Sequence, residues 1–322
     1  MIEEERAILS SVGAQVVEIE GAEDAEIVAA AGECDALMVV SAYVRANVIE
    51  AMGRCRLIAR LGTGVDKIDI EAATRRGIMV SNLPDFCTDE VADHTMALLL
   101  TVARQLDFFR EAMRQGRQPR DPPEIHRLAT QTLGLIGLGR IGRAVARRAR
   151  GFGMRVLAFD PAVSGEAAGE VGAEPADLDR VLSEADYLCL LCPLTAQTRN
   201  LLTMGEFRRM KPTAVLLNTG RGELVNEGDL VAALREGVIR GAAIDVYAGL
   251  NVFAVDGFPT DHPFFGLNNL IMTPHVAAFS RESLVEQKVR GAQAVVDVLS
   301  GRRPEHLVNP DVRPWSEMAP PG

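Results

Sequence analysis

Aromatic residues are scarce in this sequence: one Trp, three Tyr and eleven Phe make up 5 % of its 322 positions. The cores must therefore be built from Ala, Val, Leu and Ile, the residues that fill parallel α/β proteins. Basic charge is also short, with 34 Lys and Arg against 44 Asp and Glu and a formal charge of −10. Nucleic-acid phosphates and anionic lipid surfaces both demand a basic face, so neither is expected as a partner. No apolar run reaches the roughly 18 residues of a membrane span. The start, Met1-Ile2-Glu3-Glu4-Glu5, is acidic where a secretory signal is basic, which excludes the usual leader pattern. Cysteine is sparse too: Cys34, Cys55, Cys87, Cys189 and Cys192 form an odd set without framework spacing. Reduced thiols and a cytoplasmic location are expected from that usage.

What is present is ordinary globular material, 48 % hydrophobic and 24 % charged, in a chain long enough for two domains. Helix and strand patterns alternate from the start. Glu4 to Gly13 reads as a helix, then Gln15 to Ile19, Ala36 to Val40, Leu57 to Ala59 and Met79-Val80 as strands, with helices around Ala46 to Met52 and Ile68 to Arg76 between them. Thr88 to Arg104 reads as a long helix capped by Thr88, with Glu90 and Asp93 in its first turns. A second series begins at Thr132, with strands at Thr132 to Ile136, Arg155 to Phe159, Tyr187 to Leu191, Ala214 to Asn218, Ala242 to Val246 and Leu270 to Met272. Six strands with intervening helices make a doubly wound unit. Ser280 to Leu299 is a closing helix. Cys189 and Cys192 have C-x-x-C spacing, but they lie in a buried strand, where residues three apart face opposite ways and cannot share a metal or a disulfide.

The strongest local motif is Gly137-Leu138-Gly139-Arg140-Ile141-Gly142, which follows an apolar strand and opens the helix Arg143 to Arg150. Its first Gly makes the tight turn, its second lets a pyrophosphate approach the backbone, and its third lets helix and strand pack closely. Asp160 ends the next strand, 18 residues beyond Gly142. A carboxylate there accepts from an adenosine ribose and repels a 2′-phosphate, favouring NAD over NADP. An S-adenosylmethionine site shares such a loop and acid, so these features alone do not name the chemistry.

Two further loops follow strands of the same sheet, at the edge where open α/β sheets bind ligands. In Asn218-Thr219-Gly220-Arg221-Gly222 an arginine stands between glycines, and its planar fork matches a carboxylate. Thr273-Pro274-His275 follows the last strand, so Arg221 and His275 can converge from different loops. A histidine after a strand is, taken alone, equally an ordinary loop or core residue.

With these residues in place the sequence resembles the D-2-hydroxyacid dehydrogenase family of phosphoglycerate, glycerate and D-lactate dehydrogenases. The similarity runs through Leu61-Gly62-Thr63-Gly64-Val65-Asp66, Asn82-Leu83-Pro84, Glu90-Val91-Ala92-Asp93-His94, Gly137 to Gly142, Cys192-Pro193-Leu194-Thr195, Asn218 to Gly222, Gly241-Ala242-Ala243-Ile244-Asp245-Val246 and Thr273-Pro274-His275. The run from His275 to Ser280 is most similar to the branch containing the C-terminal binding protein corepressors.

The resemblance implies an α/β fold in which a Rossmann NAD-binding domain (99–278) is inserted into a flavodoxin-like substrate domain (1–98 and 279–322). It implies NAD as cofactor, a small 2-keto or 2-hydroxy acid as substrate, and a homodimer. Arg221 would hold the substrate's carboxylate and carbonyl oxygen, and His275 would exchange a proton with that oxygen. Backbone amides of Thr63, Gly64 and Val65 would hold the carboxylate from the other side. The cofactor set would comprise Gly137, Gly139, Arg140, Ile141, Gly142, Asp160, Cys192, Pro193, Thr198, Thr219, Gly220, Arg221, Asp245, His275 and Ala278, with Asp245 at the nicotinamide end. Ser41, Ala42, Tyr43, Phe86 and Cys87 would shape the substrate pocket. The alternative is an NAD(H)-sensing, corepressor-like binding protein with little turnover.

Two departures from the family pattern stand out. The acid that partners the catalytic histidine is expected five residues after Asp245, where this chain has Leu250. Counting back from His275 places Asp256 there instead, after about six extra residues. The family's substrate domain also opens with a strand, whereas Met1-Ile2-Glu3 leads directly into a helix; either the true start lies upstream or the sheet is short.

Overall fold

The computed structural model describes residues 3–19, 24–253, 257 and 259–313. The chain divides into two compact units, Met1–Phe86 with Ser280–Gly322, and Cys87–Phe279. The division precedes the helix Thr88–Ala103, ahead of the boundary expected at residue 98. That helix lays Ala92, Met96, Leu99 and Ala103 into the same core as Ala144, Val145 and Ala149 of the helix Arg140–Gly151. Its cap is Cys87 rather than Thr88.

The smaller unit holds a parallel sheet of β1 (Ala36–Val39), β2 (Leu57–Arg60) and β3 (Met79–Ser81), in that order. Alternation along β2 splits its core in two. Leu57 and Ala59 pack with Ala292, Val295 and Val298 of the helix Arg281–Leu299, while Ile58 packs with Val48, Ile49, Ala72 and Ala73 of the connecting helices. Asn309, buried, clips the C-terminal segment to β3 by accepting from Val80 N (2.8 Å) and donating to the Ile78 carbonyl (3.0 Å).

The strand expected at Gln15 to Ile19 does not form: residues 14–19 pair with no strand among the described residues. Val16 and Ile19 are exposed and Val17 is 75 % exposed. β-branched residues favour a strand only where a neighbouring strand supplies bonds and packing, and here none does.

The larger unit is a seven-stranded parallel sheet. Its strands are β4 (Thr132–Ile136), β5 (Arg155–Phe159), β6 (Glu174–Pro175), β7 (Tyr187–Leu190), β8 (Val215–Asn218), β9 (Gly241–Ile244) and β10 (Leu270–Met272), in the order β10-β9-β8-β7-β4-β5-β6. β4 is buried throughout, as a central parallel strand must be. Only the two-residue β6 was not expected; it ends in Pro175, which an edge tolerates because its outer side needs no donor. Strand order reverses between β4 and β7, and the crevice outside their carboxyl ends is the ligand position of a doubly wound fold. Among the described residues no helix is long and apolar enough to cross a membrane.

Candidate active site

The glycine loop leaves β4 and enters the helix Arg140–Gly151. The helix begins at Arg140, three residues earlier than the apolar pattern indicates, because Gly139 serves as its cap and brings no capping side chain. The first intrahelical donor is Arg143 N, to Gly139 O at 2.9 Å. The amides of Arg140, Ile141 and Gly142 thus sit in an uncapped first turn. A Cβ on Gly139 would meet nothing within 4 Å, whereas one on Gly137 (φ +102°) would lie 2.5 Å from Cys192 N and one on Gly142 would lie 2.4 Å from Gly137 O. Two glycines therefore permit close packing and the middle one faces open space over unpartnered helix dipoles. This cradle fits a dinucleotide pyrophosphate.

Asp160 follows β5 beside that loop. Its carboxylate accepts from Leu138 N at 2.8 Å and from Ala162 N at 2.9 Å, which fixes its plane against the first glycine turn. On the far side of the loop lies the segment from Cys192 to Thr198. Thr198 Oγ1 donates to the Pro193 carbonyl (2.7 Å) and accepts from Thr195 N (2.8 Å), so the threonine shapes this turn from within. Burial pushes the Cys192 thiol up to about 11 and the Cys189 thiol higher still. All five cysteines are free thiols; Cys189 joins one core layer and Cys192 packs against the other.

Asn218, buried at the end of β8, ties the next turn at both ends. Its Nδ2 donates to the Arg221 carbonyl (2.9 Å) and its Oδ1 accepts from Gly220 N (3.1 Å). The Thr219 hydroxyl is engaged with that of Thr95 at 2.7 Å. Gly222 lies against the next loop so closely that a Cβ would fall 2.0 Å from the Tyr247 carbonyl carbon. Arg221 is thereby held on a rigid turn, half-buried, with Nη1 on the Gly220 carbonyl at 2.8 Å.

The loop after β10 carries His275 at φ +56°, a left-handed backbone that costs a non-glycine residue roughly 1–2 kcal/mol. Asp245 holds it there. This carboxylate is fully buried at the end of β9 and accepts from Val276 N (3.0 Å), Ala277 N (2.9 Å) and the Thr273 hydroxyl. Because Thr273 donates its one hydroxyl proton to Asp245, it accepts from His94 Nε2 at 3.0 Å. Tyr247 adds a bond from its hydroxyl to the Thr273 carbonyl at 2.9 Å, and burial raises its phenol above the ordinary range. Ala278 follows in the turn closed by Phe279 N on Val276 O at 2.9 Å. Asp245 is thus placed as the anchor of the histidine loop, with its side chain turned into the protein.

A third loop reaches the same histidine. Glu227 accepts from Ala248 N (2.7 Å) and Gly249 N (3.0 Å), Leu250 is buried, and Asn251 Oδ1 accepts from Phe253 N at 3.1 Å. The Phe253 ring then packs on His275, centroids 5.1 Å apart. Asp256, expected as the acid partner of His275, lies outside the described residues.

In the smaller unit, Thr63, Gly64 and Val65 lie on the loop after β2. The carbonyl of Leu61 accepts from Arg60 Nη1 (2.6 Å) and Gln287 Nε2 (3.0 Å), that of Gly62 from Leu83 N (3.1 Å), that of Thr63 from Asn82 Nδ2 (2.8 Å) and that of Gly64 from Arg60 Nε (3.0 Å). Every carbonyl from 61 to 64 is turned into the unit, which fixes the peptide planes bearing the Thr63 to Val65 amides. Arg60 and Glu227 escaped the sequence reading, and Asn218 and His94 stood in its motifs without an assigned role. Most of their partners are backbone groups or residues far along the chain, and no local spacing announces them.

Comparison with known proteins agrees with this architecture. Residues 96–277 match the family described as D-isomer specific 2-hydroxyacid dehydrogenase, NAD binding domain. A glyoxylate reductase of Korarchaeum cryptofilum is 38 % identical over 90 % of this chain and 86 % of its own length. A D-3-phosphoglycerate dehydrogenase of Synechocystis sp. is 36 % identical over 95 % of this chain, which spans 56 % of that longer protein. The D-lactate dehydrogenase of Aquifex aeolicus, solved with NAD and lactic acid, superposes with a TM-score of 0.81 at 28 % identity, covering 88 % of this chain and 89 % of that one. The chain belongs to the D-2-hydroxyacid dehydrogenase family. It is an NAD-dependent oxidoreductase acting on the CH–OH group of 2-hydroxy acids.

Proposed function

We propose that the protein reduces small, unphosphorylated 2-keto acids to D-2-hydroxy acids with NADH, with Arg221 binding the carboxylate and His275 acting as proton donor. The observation that carries this reading is the histidine loop: His275 is held at φ +56° by a buried carboxylate in the same unit as the uncapped helix N-terminus. Strained non-glycine backbone that the surroundings hold in place is typical of functional positions. NADH, when bound, supplies the hydride. The guanidinium of Arg221 pairs with the substrate carboxylate through two parallel bonds and orients the carbonyl. His275 gives its proton to the carbonyl oxygen as negative charge grows there, and takes it back in the oxidation direction.

The preference against a phosphorylated substrate rests on the cations near the Thr63 to Val65 loop. Arg60 is bonded to the carbonyls of Leu61 and Gly64, and Lys67 donates to the Ser41 carbonyl at 3.0 Å. A nucleotide-sensing scaffold without turnover is not favoured, since the relatives named are reductases and dehydrogenases. The test is NADH oxidation with glyoxylate, pyruvate, hydroxypyruvate, phenylpyruvate and 3-phosphohydroxypyruvate. Turnover with unphosphorylated acids is expected, with kcat/KM for the phosphorylated one at least tenfold lower; a preference for the phosphorylated acid would overturn the assignment.

A further inference from the structure

Phe253 is 43 % exposed, an unusual position for a ring whose backbone is so firmly placed. Its segment is tied from the helix Glu227–Arg235 outward: Glu227 takes the Ala248 and Gly249 amides, Leu250 is buried, and the Asn251 side chain takes the Phe253 amide. The ring lies against the imidazole of His275 at 5.1 Å between centroids, tilted by 49°. One part of the ring therefore touches the histidine while another is exposed.

A carbonyl oxygen accepting from the imidazole sits at about 2.8 Å from the donating nitrogen. The reacting carbon is one bond further, and its substituent one bond beyond that. On that reading the substituent lies beside the imidazole, against which the Phe253 ring also packs. An aromatic face in that position gains by contact with an apolar group and gains nothing from a hydrogen atom.

We propose that Phe253 is a specificity-determining residue that walls the substituent on the reacting carbon, so that the enzyme takes 2-keto acids with apolar side chains in preference to glyoxylate. This rests on the reading of His275 as the proton donor. It narrows the substrate from small 2-keto acids to those carrying an alkyl or aryl group.

The experiment measures kcat/KM for 4-methyl-2-oxopentanoate, phenylpyruvate and glyoxylate with NADH in the wild-type chain, Phe253→Ala and Phe253→Leu. A hydrophobic contact of this size changes discrimination by about 10–200-fold. The expected result is a side-chain acid to glyoxylate ratio at least tenfold lower in Phe253→Ala, with most of it restored in Phe253→Leu. Because the ring is surface-exposed, both variants should fold. An unchanged ratio in Phe253→Ala, or an equal loss on all three acids, would overturn the proposal. A wild-type chain that oxidises NADH with none of these acids would overturn the functional reading itself, an outcome readable without any variant.

Discussion

Asp245 carries more of the site's order than any other single side chain. Fully buried, it accepts from two consecutive amides and a hydroxyl, and through Thr273 it reaches His94. Asp245→Asn keeps the volume but replaces an acceptor oxygen by an NH2 facing donors. Leaving a buried donor unpaired costs about 1–3 kcal/mol. Thermal unfolding of this variant is expected several degrees below wild type, and turnover at least tenfold lower, because the His275 backbone loses its restraint. Unchanged unfolding and turnover would show that the loop is held by other means. The cysteines offer a second check at this scale. The neighbouring Cys55 side chain holds the Cys34 thiol below its ordinary value, while burial pushes Cys192 up to about 11. Thiolates alkylate and thiols do not. Iodoacetamide labelling followed by mass spectrometry should modify Cys34 first, with labelling of Cys192 rising about tenfold per pH unit between 7 and 10. Early labelling of Cys189 or Cys55 would contradict the burial described.

At the scale of elements, the candidate site is distributed over turns that follow parallel strands. The turn after β5 is expected to set cofactor choice. Asp160 is fixed by Leu138 N and Ala162 N, and a 2′-phosphate would meet its negative charge. NAD is expected to bind at least tenfold tighter than NADP, about 1.4 kcal/mol or more. Equal affinity in a fluorescence titration would remove Asp160 from that role. The turn after β8 presents Arg221 on a backbone clamped by Asn218. Arg221→Lys is expected to retain NADH affinity yet lose kcat/KM by a hundredfold or more, since an ammonium cannot form two parallel bonds to a carboxylate. Near-normal kcat/KM in the Lys variant would place the carboxylate elsewhere.

These turns also show how far sequence alone can be read. The strands of the large sheet are legible because central parallel strands are apolar on both faces. The pair Glu174–Pro175 is invisible because two exposed residues leave no pattern. Gln15 to Ile19 misleads because propensity acts only beside a neighbour. The helix start at Arg140 is hidden by a cap without a side chain. Asp245 stands in a recognisable motif, but its partners Thr273, Val276 and Ala277 lie about thirty residues away, so its anchoring role is not legible. The contribution of Glu227 and Phe253 depends on a loop whose path no spacing announces.

At the scale of the whole molecule, the groups proposed to bind the cofactor and transfer the proton lie in one unit. Gly137 to Gly142, Asp160, Arg221, Asp245 and His275 all belong to Cys87–Phe279, and the Thr63 to Val65 loop belongs to the other unit. Binding of NADH and transfer of the proton should therefore be separable by a change within the larger unit. The most direct measurement is steady-state NADH oxidation by His275→Gln with whichever 2-keto acid the wild type reduces best, alongside NADH titration of the same variant. A positioned general acid contributes about 10²–10⁴-fold. The kcat of this variant is expected to fall by at least a hundredfold while its Kd for NADH stays within threefold of wild type. A His275→Gln enzyme that keeps wild-type kcat would contradict the role proposed for His275.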